Sequence, residues 1–357
     1  MEFGILGLEL SGKTTLFSLL TGHHVAAVHG KREAHVGVAH VPDTRLERLA
    51  VLFAPRKAIA ATVRFVDVPG IVKGGSASLN IPELRTMDGL AAVVRGFVSP
   101  TVPHPEGSID PARDVELLET EFLLADLAVL ENRLHRLEGE LKKHRTPELE
   151  AERSALEHCR HALEAGTPLR QAALSAEDRG HLKGFGFLSL KPLLIVLNVG
   201  EESASDLADA LVGSGLDRWP GKPGLAASAV CATLEEEISL LAPADQAAFL
   251  ADLGLPDRAL DRLLRAAYEL LGLVSFFTVG DQEVRAWSIP DGTHAVKAAG
   301  VVHTDMERGF IRAEVTPCQA LVEAGSFAAC RTHGTLRLEG KDYAVRDGDV
   351  ITFRFSV

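Results

Sequence analysis

A phosphate-binding loop is predicted at the start of the chain. Its sequence, GLELSGKT, runs from Gly7 to Thr14 and fits the pattern G-x-x-x-x-G-K-[ST]. Glycines let backbone N–H groups turn toward a polyphosphate, Lys13 can reach the terminal phosphates, and the Thr14 hydroxyl can bind Mg²⁺. The predicted contacts with the phosphates are Gly7, Leu10, Ser11, Gly12, Lys13, Thr14 and Thr15.

A second motif, Asp67-Val68-Pro69-Gly70, follows a predicted strand. In P-loop enzymes an aspartate here holds Mg²⁺, and the N–H of the glycine contacts the terminal phosphate. We therefore expect Thr14 and Asp67 to bind the metal, and Gly70 to bind phosphate. Ile71 follows, where Ras-type enzymes have a glutamine that orients the attacking water. Because isoleucine cannot form that hydrogen bond, another group must orient the water or hydrolysis will be slow.

A base-binding site is predicted at Asn198-Val199-Gly200-Glu201. Guanine-specific enzymes commonly have N-K-x-D here, because a short carboxylate accepts hydrogen bonds from guanine N1–H and N2–H. In this chain Val199 replaces the lysine and Glu201 lengthens the acid. Adenine has no N1–H, so the sequence favours ATP over GTP. Cys231 and Ala232, after the next predicted strand, are expected to form a wall of the base site.

The elements that position these motifs alternate between strands and helices. The strand-like apolar runs lie at 2–6, 36–41, 61–66, 89–97, 192–197 and 225–230. Helical patterns lie between most of them, including one from Asp43 to Phe53 with Asp43 as its N-cap. This order predicts an α/β fold with a doubly wound, mainly parallel sheet, which binds ligands at the carboxyl ends of its strands.

Two further regions have different patterns. Leucines spaced alternately by three and four residues predict two long helices in an antiparallel coiled-coil hairpin, with a break at Thr146-Pro147. The leucines of the first helix are Leu127, Leu130, Leu134, Leu137 and Leu141. This hairpin is either a scaffold or a projecting arm that contacts a large partner. From about Leu273 onward, alternating residues and turn signals predict a small strand-rich domain.

The composition excludes several classes of protein. The chain has 357 residues and a net charge of −12, which argues against general nucleic-acid binding but leaves room for a local basic patch. No apolar run is long enough to span a bilayer, so we expect no membrane partner. The four cysteines are scattered and lack C-x-x-C spacing. Reduced thiols and a cytoplasmic location are therefore expected.

These motifs, taken in order, resemble one family, the Obg-like ATPases of the YchF branch of P-loop NTPases. The resemblance is closest at the C-terminus, where three segments read almost as that family's TGS domain, a β-grasp-like module. They are FFTVGDQEVRAW (276–287), AAGVVHTDMERGFIRAEV (298–315) and LEGKDYAVRDGDVITFRFSV (338–357). KPLLIVLNVGE (191–201) resembles the family's adenine-favouring N-x-x-E site, and Ile71 matches its hydrophobic substitution.

The resemblance implies three domains and a function. The domains are a G-type nucleotide-binding domain at 1–110 and 188–271, a coiled-coil insertion at 111–187, and a TGS domain at 272–357. The implied function is a cytoplasmic switch that binds ATP with Mg²⁺, hydrolyses it slowly and associates with the ribosome or ribosomal RNA through the TGS and helical domains. His104 lies where the family has a proposed catalytic histidine, and Lys13 is the second expected catalytic residue.

The chain departs from the family pattern in the phosphate loop, in the first switch and in the second switch, which is shortened after Lys73-Gly74-Gly75, and these departures leave alternatives open. Glu9-Leu10-Ser11 replaces the family's Pro-Asn-Val, and Lys31 aligns with a threonine that binds Mg²⁺ in the family. One alternative is a nucleotide-sensing adaptor without turnover, and another is a GTPase.

Overall fold

The computed structural model describes residues 1–22, 35–69 and 81–356, and these form two compact units. The first unit comprises Met1–Val38 and Arg64–Ala266, and the second comprises Ala39–Val63 and Ala267–Val357. Gly70, Ile71 and Lys31 lie outside the described residues. Within the described ranges, no helix is long and apolar enough to cross a membrane.

The first sheet has six strands in the order β2-β4-β1-β5-β6-β7. Their bounds are β1 Glu2–Leu6, β2 His35–His40, β4 Thr62–Asp67, β5 Gly89–Arg95, β6 Leu193–Asn198 and β7 Leu225–Val230. β1 pairs in parallel with β4 and β5, β5 with β6, and β6 with β7. Every residue of β5 and β6 is buried, as expected for parallel strands covered on both faces. The predicted doubly wound parallel sheet is confirmed.

Helices follow most of these strands and bring polar residues to the carboxyl edge of the sheet. They are α1 Lys13–Thr21, α3 Ile81–Thr86, α7 Leu207–Gly213, α8 Ala232–Leu240, α9 Pro243–Asp252 and α10 Ala259–Leu270. The phosphate loop connects β1 to α1, Asp67 ends β4, and Asn198 ends β6. The described residues of these three motifs therefore lie at one edge of the sheet, at the ends of strands or just after them.

Two long helices form where the leucine spacing predicts them. They are α4 Pro111–Lys143 and α5 Pro147–Glu164, followed by the shorter α6 Ala176–Leu182. The Asp110 side chain caps α4 by accepting a hydrogen bond from Arg113 N at 3.0 Å, and Pro111 occupies the first turn. Proline is well tolerated there because that position has no intrahelical N–H partner. Leu130, Leu134 and Leu137 of α4 pack with Leu156, Cys159 and Leu163 of α5 in one buried cluster.

The second unit contains another six-stranded sheet, in the order β11-β10-β12-β8-β9-β3. Its strands are β3 Lys57–Ile59, β8 Leu273–Val279, β9 Glu283–Pro290, β10 Phe310–Pro317, β11 Arg337–Glu339 and β12 Asp349–Phe355. Its helices are α2 Thr44–Phe53, α11 Ala295–Val302, α12 Thr304–Arg308, α13 Cys318–Ala324 and α14 Phe327–Thr332. Phe276, Phe310 and Phe353 lie in its buried core. The predicted strand-rich C-terminal domain is confirmed.

The segment 39–63 belongs with the C-terminal unit, although the sequence analysis assigned it to the nucleotide-binding domain. β3 pairs in parallel with β9, with Ile59 opposite Arg285. Arg45 of α2 donates to Asp347 over 2.5 Å, and its guanidinium lies 5.3 Å from the centre of the Phe277 ring. α2 itself forms as predicted, with the Asp43 carboxylate accepting from Arg45 N. The Asp43 cap is a local sequence signal that predicts the helix. The residues that the helix contacts, such as Phe277 and Asp347, are distant in sequence and could not be predicted in this way.

Candidate nucleotide-binding site

Gly7 and Gly12 shape the phosphate loop in a way that only glycine permits. Both have positive φ angles, 151° at Gly7 and 93° at Gly12. A Cβ at Gly7 would lie 2.2 Å from the carbonyl oxygen of Val93, and a Cβ at Gly12 would lie 2.3 Å from Asn198 Nδ2. The loop is thus packed closely against β5 and against the end of β6, and its last glycine, Gly12, is the N-cap residue of α1.

The middle of the loop carries Glu9 and Leu10, both exposed. Leu10 has a φ of 63°, a left-handed conformation that costs a side-chain-bearing residue about 1–2 kcal/mol. The residue is 43% exposed, so burial of the leucine does little to offset that cost. The predicted contact Thr15 is also exposed, in the first turn of α1.

Lys13 is buried, and its ammonium group is held by the loop itself. Nζ donates to the carbonyl oxygen of Leu8 at 2.7 Å. Burial lowers the pKa of Lys13 to about 8, although attraction to Asp67 and Glu9 acts in the opposite direction. A buried cation with one carbonyl partner is electrostatically costly, and a polyphosphate would supply the missing negative charge.

Thr14 and Asp67, the two predicted metal ligands, are in direct contact. Thr14 Oγ1 donates to Asp67 Oδ2 over 2.9 Å. The other oxygen, Oδ1, is buried with no hydrogen-bond partner among the described residues. Burial raises the pKa of Asp67, while the Thr14 hydrogen bond and the Lys13 charge lower it. One hydroxyl and one carboxylate are suitable oxygen ligands for Mg²⁺, which keeps several of its waters. The residues present therefore fit the metal.

Asn198 connects the phosphate loop to α8. Its Nδ2 donates to the backbone oxygen of Ser11 at 3.1 Å, and its Oδ1 accepts from the N–H of Ala232 at 3.2 Å. Ser11 is buried, and its own hydroxyl has no hydrogen-bond partner among the described residues. The sequence predicts a base-reading role for Asn198, and its two hydrogen bonds add a second role in fixing the loop.

The remaining predicted base contacts differ in exposure. Val199 and Cys231 are buried, whereas Glu201 is exposed at the start of a short 3-10 turn. A Cβ at Gly200 would lie 2.3 Å from Glu202 Oε2, so the Glu202 carboxylate lies directly over that glycine. Since Asn198 pairs with Val230 across the sheet, the residues that follow both strands lie at the same edge.

His104 is buried in a pair with Asp114, the first-turn residue of α4. Its Nε2 lies 3.1 Å from Asp114 Oδ2, and its Nδ1 accepts a hydrogen bond from Glu106 N at 3.1 Å. Because Nδ1 is an acceptor, the ring proton lies on Nε2 and is donated to the carboxylate. Both ring nitrogens are engaged, and neither of these two partners belongs to the phosphate loop. No signal in the sequence indicates Asp114 as the partner of this histidine.

The segment before His104 is held by Arg95, the last residue of β5. Its guanidinium donates to the carbonyl oxygens of Phe97 at 3.0 Å and Val102 at 2.9 Å, and it stacks on the Phe97 ring. Arg95 is buried, and it lies opposite Asn198 in the sheet register. It therefore fixes the backbone that leads to His104, another role that the sequence did not reveal.

Comparison with known proteins identifies the family. The chain is 36% identical to the ribosome-binding ATPase YchF of Bacillus subtilis (strain 168) over 362 residues, which cover 99% of each chain. It is 37% identical to the protein of the same name from Escherichia coli O157:H7 over 365 residues, again 99% of each. The chain belongs to the YchF family. A family model described as "YchF-GTPase_C: Protein of unknown function (DUF933)" matches residues 273–356 of this YchF-family chain.

A solved structure has the same fold. It is described as the Schizosaccharomyces pombe YchF GTPase and is 26% identical, with a TM-score of 0.86 over 99% of this chain and 97% of the other. The resemblance inferred from the C-terminal segments and from the N-x-x-E site is thus confirmed. The relatives carry two descriptions, ATPase and GTPase, which makes the identity of the base a question for direct measurement.

Proposed function

We propose that this chain is a cytoplasmic nucleotide-dependent switch that binds ATP with Mg²⁺, hydrolyses it slowly and associates with the ribosome. The observation that carries the proposal is the buried Lys13 in a loop whose shape depends on Gly7 and Gly12. Its ammonium has a backbone carbonyl as its hydrogen-bond partner, so a bound triphosphate is a better partner than any that the free loop provides. The bacterial relatives are named as ribosome-binding ATPases, which supports the same function.

Phosphate binding follows from the arrangement of the loop. Backbone N–H groups at the start of α1 face the anion, where the helix dipole also favours negative charge. Lys13 Nζ exchanges its bond with Leu8 O for the terminal phosphates. Thr14 and Asp67 hold Mg²⁺, which, when bound, offsets the negative charge of the terminal phosphates.

Recognition of the base uses the edge formed by β6 and β7. Asn198, fixed by Ser11 and Ala232, presents its amide at the end of β6. Val199 and Cys231 supply apolar walls, and the exposed Glu201 carboxylate can accept from the adenine amino group. Because the longer acid does not match the paired N–H groups of guanine, ATP is the favoured nucleotide.

Hydrolysis is slow in this proposal because neither Ile71, whose side chain is apolar, nor His104, in its present hydrogen bonds, can orient the attacking water. Ile71 cannot form the required hydrogen bond, and His104 is engaged by Asp114 and Glu106. His104 acts on the water only after these two hydrogen bonds open. The cost of separating a buried hydrogen-bonded pair, on the order of several kcal/mol, adds to the barrier.

Association with the ribosome involves the tip of the helical hairpin. Lys142, Lys143, His144 and Arg145 are all exposed where α4 ends and α5 begins. Arg145 pairs with Glu150. Among the described residues, neither Lys142 nor Lys143 forms an ion pair, so both lysines can contact a partner. On a chain with a net charge of −12, this tip is a local basic patch suited to the phosphates of ribosomal RNA.

Two linked experiments test the proposal. Calorimetry with Mg²⁺ and either ATP or GTP should show saturable binding that favours ATP, and Lys13→Ala should abolish it. A preference for GTP of tenfold or more, about 1.4 kcal/mol, would contradict the base-site argument. A phosphate-release assay then separates the enzyme from an adaptor, because an adaptor binds ATP without release above the Lys13→Ala background.

A further inference from the structure

A polar cluster lies at the root of the helical hairpin, formed by the buried Asp126 of α4 with the partly buried Arg85 of α3 and Lys191 just before β6. We call it the root cluster. Arg85 Nη1 donates to Asp126 Oδ1 at 3.0 Å, and the Asp126 side chain is completely buried. A charge buried to this extent has a large effect on stability, because removing its partner leaves it uncompensated.

Asp126 lies at the boundary between two parts of α4. Before it, Val115, Leu118 and Phe122 belong to the core that packs on the first sheet. After it, Leu130, Leu134 and Leu137 belong to the separate core shared with α5. The carboxylate therefore marks the point where α4 leaves the nucleotide-binding sheet and becomes the arm of the hairpin.

The return path from the arm passes through the same cluster. Asp126 also accepts hydrogen bonds from the N–H groups of Leu188 at 2.9 Å and Ser189 at 2.7 Å. Lys191 Nζ donates to the carbonyl oxygens of Arg85, at 2.9 Å, and of Met87. Since β6 begins at Leu193 and ends at Asn198, this return path leads directly to the predicted base site.

The third component, α3, is packed on the strand that carries the phosphate loop. Leu84 of α3 is fully buried, and a Cβ at Gly4 of β1 would lie 2.9 Å from its Cδ2 atom. Just after α3, Asp88 N donates to Glu2 O at 2.9 Å. α3 is also the first described element after Asp67. Displacement of β1 would therefore shift α3.

We infer that Arg85 transmits the nucleotide state to the hairpin: it ties α3 to the root of the arm, so that a change at the phosphate site turns the arm. This inference rests on the proposed function. Besides Asp126, Arg85 reaches Gly186 O at 3.0 Å and Ala125 O at 3.1 Å. One guanidinium thus holds both the outgoing helix and the returning segment. A small rotation there is multiplied along the length of α4.

The test is a distance measurement between the arm and the sheet domain. Spin labels are placed at Lys143→Cys, on the hairpin tip, and at Glu237→Cys, on α8, where both native residues are exposed. The four native cysteines are all buried, so labelling is directed to the introduced sites. Pulsed EPR distances are recorded for the full chain without nucleotide and with Mg²⁺ and adenylyl imidodiphosphate, and calorimetry measures binding of the same analogue.

The expected result is a nucleotide-dependent change that Arg85→Met removes. In the otherwise unaltered chain the mean distance should change by about 3 Å or more. Arg85→Met should bind the analogue within about threefold of the parent yet show no such change, and its nucleotide-free distances should be more broadly distributed. Arg133→Met is the matched control, since Arg133 is similarly buried and pairs with Glu152 within the arm. It should keep the full change.

Other results would overturn the inference. These are a full change in Arg85→Met, or no change in the parent chain although the analogue binds. If calorimetry shows no binding to the parent, the proposed function fails and this inference with it. If Arg85→Met does not fold, Arg85→Lys serves in its place, because lysine keeps the charge but lacks the planar fork of donors with which Arg85 bonds to Asp126, Gly186 and Ala125. Arg85→Lys should then lose most of the nucleotide-dependent change in distance. A full change in this variant would also overturn the inference.

Discussion

Asn198 and Ser11 are far apart in sequence, yet a hydrogen bond of 3.1 Å from Asn198 Nδ2 to Ser11 O joins the end of β6 to the phosphate loop. The same amide accepts from the N–H of Ala232. One side chain thus connects the loop that is predicted to hold the phosphates with the walls that are predicted to hold the base. The phosphate and base halves of the site depend on each other through it.

The first prediction concerns this amide. Asn198→Ala should weaken ATP binding by at least about tenfold, because two buried backbone groups lose their partner and the loop loosens. Calorimetry with Mg²⁺ and ATP measures the effect. Asn132→Ala is the control, since Asn132 bonds only to Ala128 O within α4 among its described contacts. Equal affinities for the two variants would show that Asn198 does not support the site.

The second prediction concerns the stability of the free protein and the charge of Lys13. Its pKa in the folded chain is about 8, below the ordinary value of 10.5. Between these values the unfolded chain binds more protons, so the contribution of Lys13 to folding stability rises with pH from 8 to 10.5. Below pH 8 the full cost of burying the charge remains. Lys13→Met should therefore raise the free energy of unfolding at pH 7 by about 1–2 kcal/mol, while losing ATP binding.

Urea denaturation at pH 7 and pH 10 checks this prediction. The stabilising effect of Lys13→Met should be largest at pH 7 and should shrink at pH 10, where Lys13 of the folded parent chain is neutral. An equal gain at both pH values would show that burial of the charge is not the cause.

The third prediction concerns His104. His104→Ala should lower the rate of ATP hydrolysis by at least about tenfold with little effect on ATP affinity, because its proposed role is to support the attacking water. Since its ring is buried and bonded to Asp114, diethyl pyrocarbonate should modify His104 more slowly than the exposed His144, as measured by mass spectrometry. Asp114→Asn should speed that modification. Rapid modification of His104 in the parent chain would contradict the buried pair.

The fourth prediction concerns Leu10. Asparagine adopts the left-handed conformation more easily than leucine does, so Leu10→Asn should raise the free energy of unfolding by about 0.5–1 kcal/mol. Thermal unfolding of the nucleotide-free protein measures the change. Leu19→Asn, at a helical position of α1, is the contrasting variant and should destabilise the fold. A loss of stability in Leu10→Asn would show that the leucine side chain contributes more than its conformation costs.

The sequence predicted the parts of the structure that have local signals. The glycines and Lys13 follow one another within a single turn, Asp67 follows its own strand, and the leucine spacing is a property of each hairpin helix. Asn198 could be predicted as a site residue because its motif is also local.

The parts that the sequence did not predict depend on contacts between distant residues. Arg85 and Asp126 each occur in ordinary helical surroundings, and neither has a spacing that indicates the other. In the same way, nothing near Lys57 indicates that β3 would pair with β9, or that Asp114 would hold His104. These contacts depend on the packing of whole elements, which a single sequence does not encode in a readable pattern.

The central claim is that the loop from Gly7 to Thr14 binds the triphosphate of ATP, and a crystal structure with Mg²⁺ and adenylyl imidodiphosphate tests it most directly. We predict that the triphosphate lies against the backbone N–H groups of the loop, with Lys13 Nζ moved from Leu8 O to the terminal phosphates. A structure at saturating nucleotide in which the loop is empty and Lys13 still bonds to Leu8 O would contradict the claim.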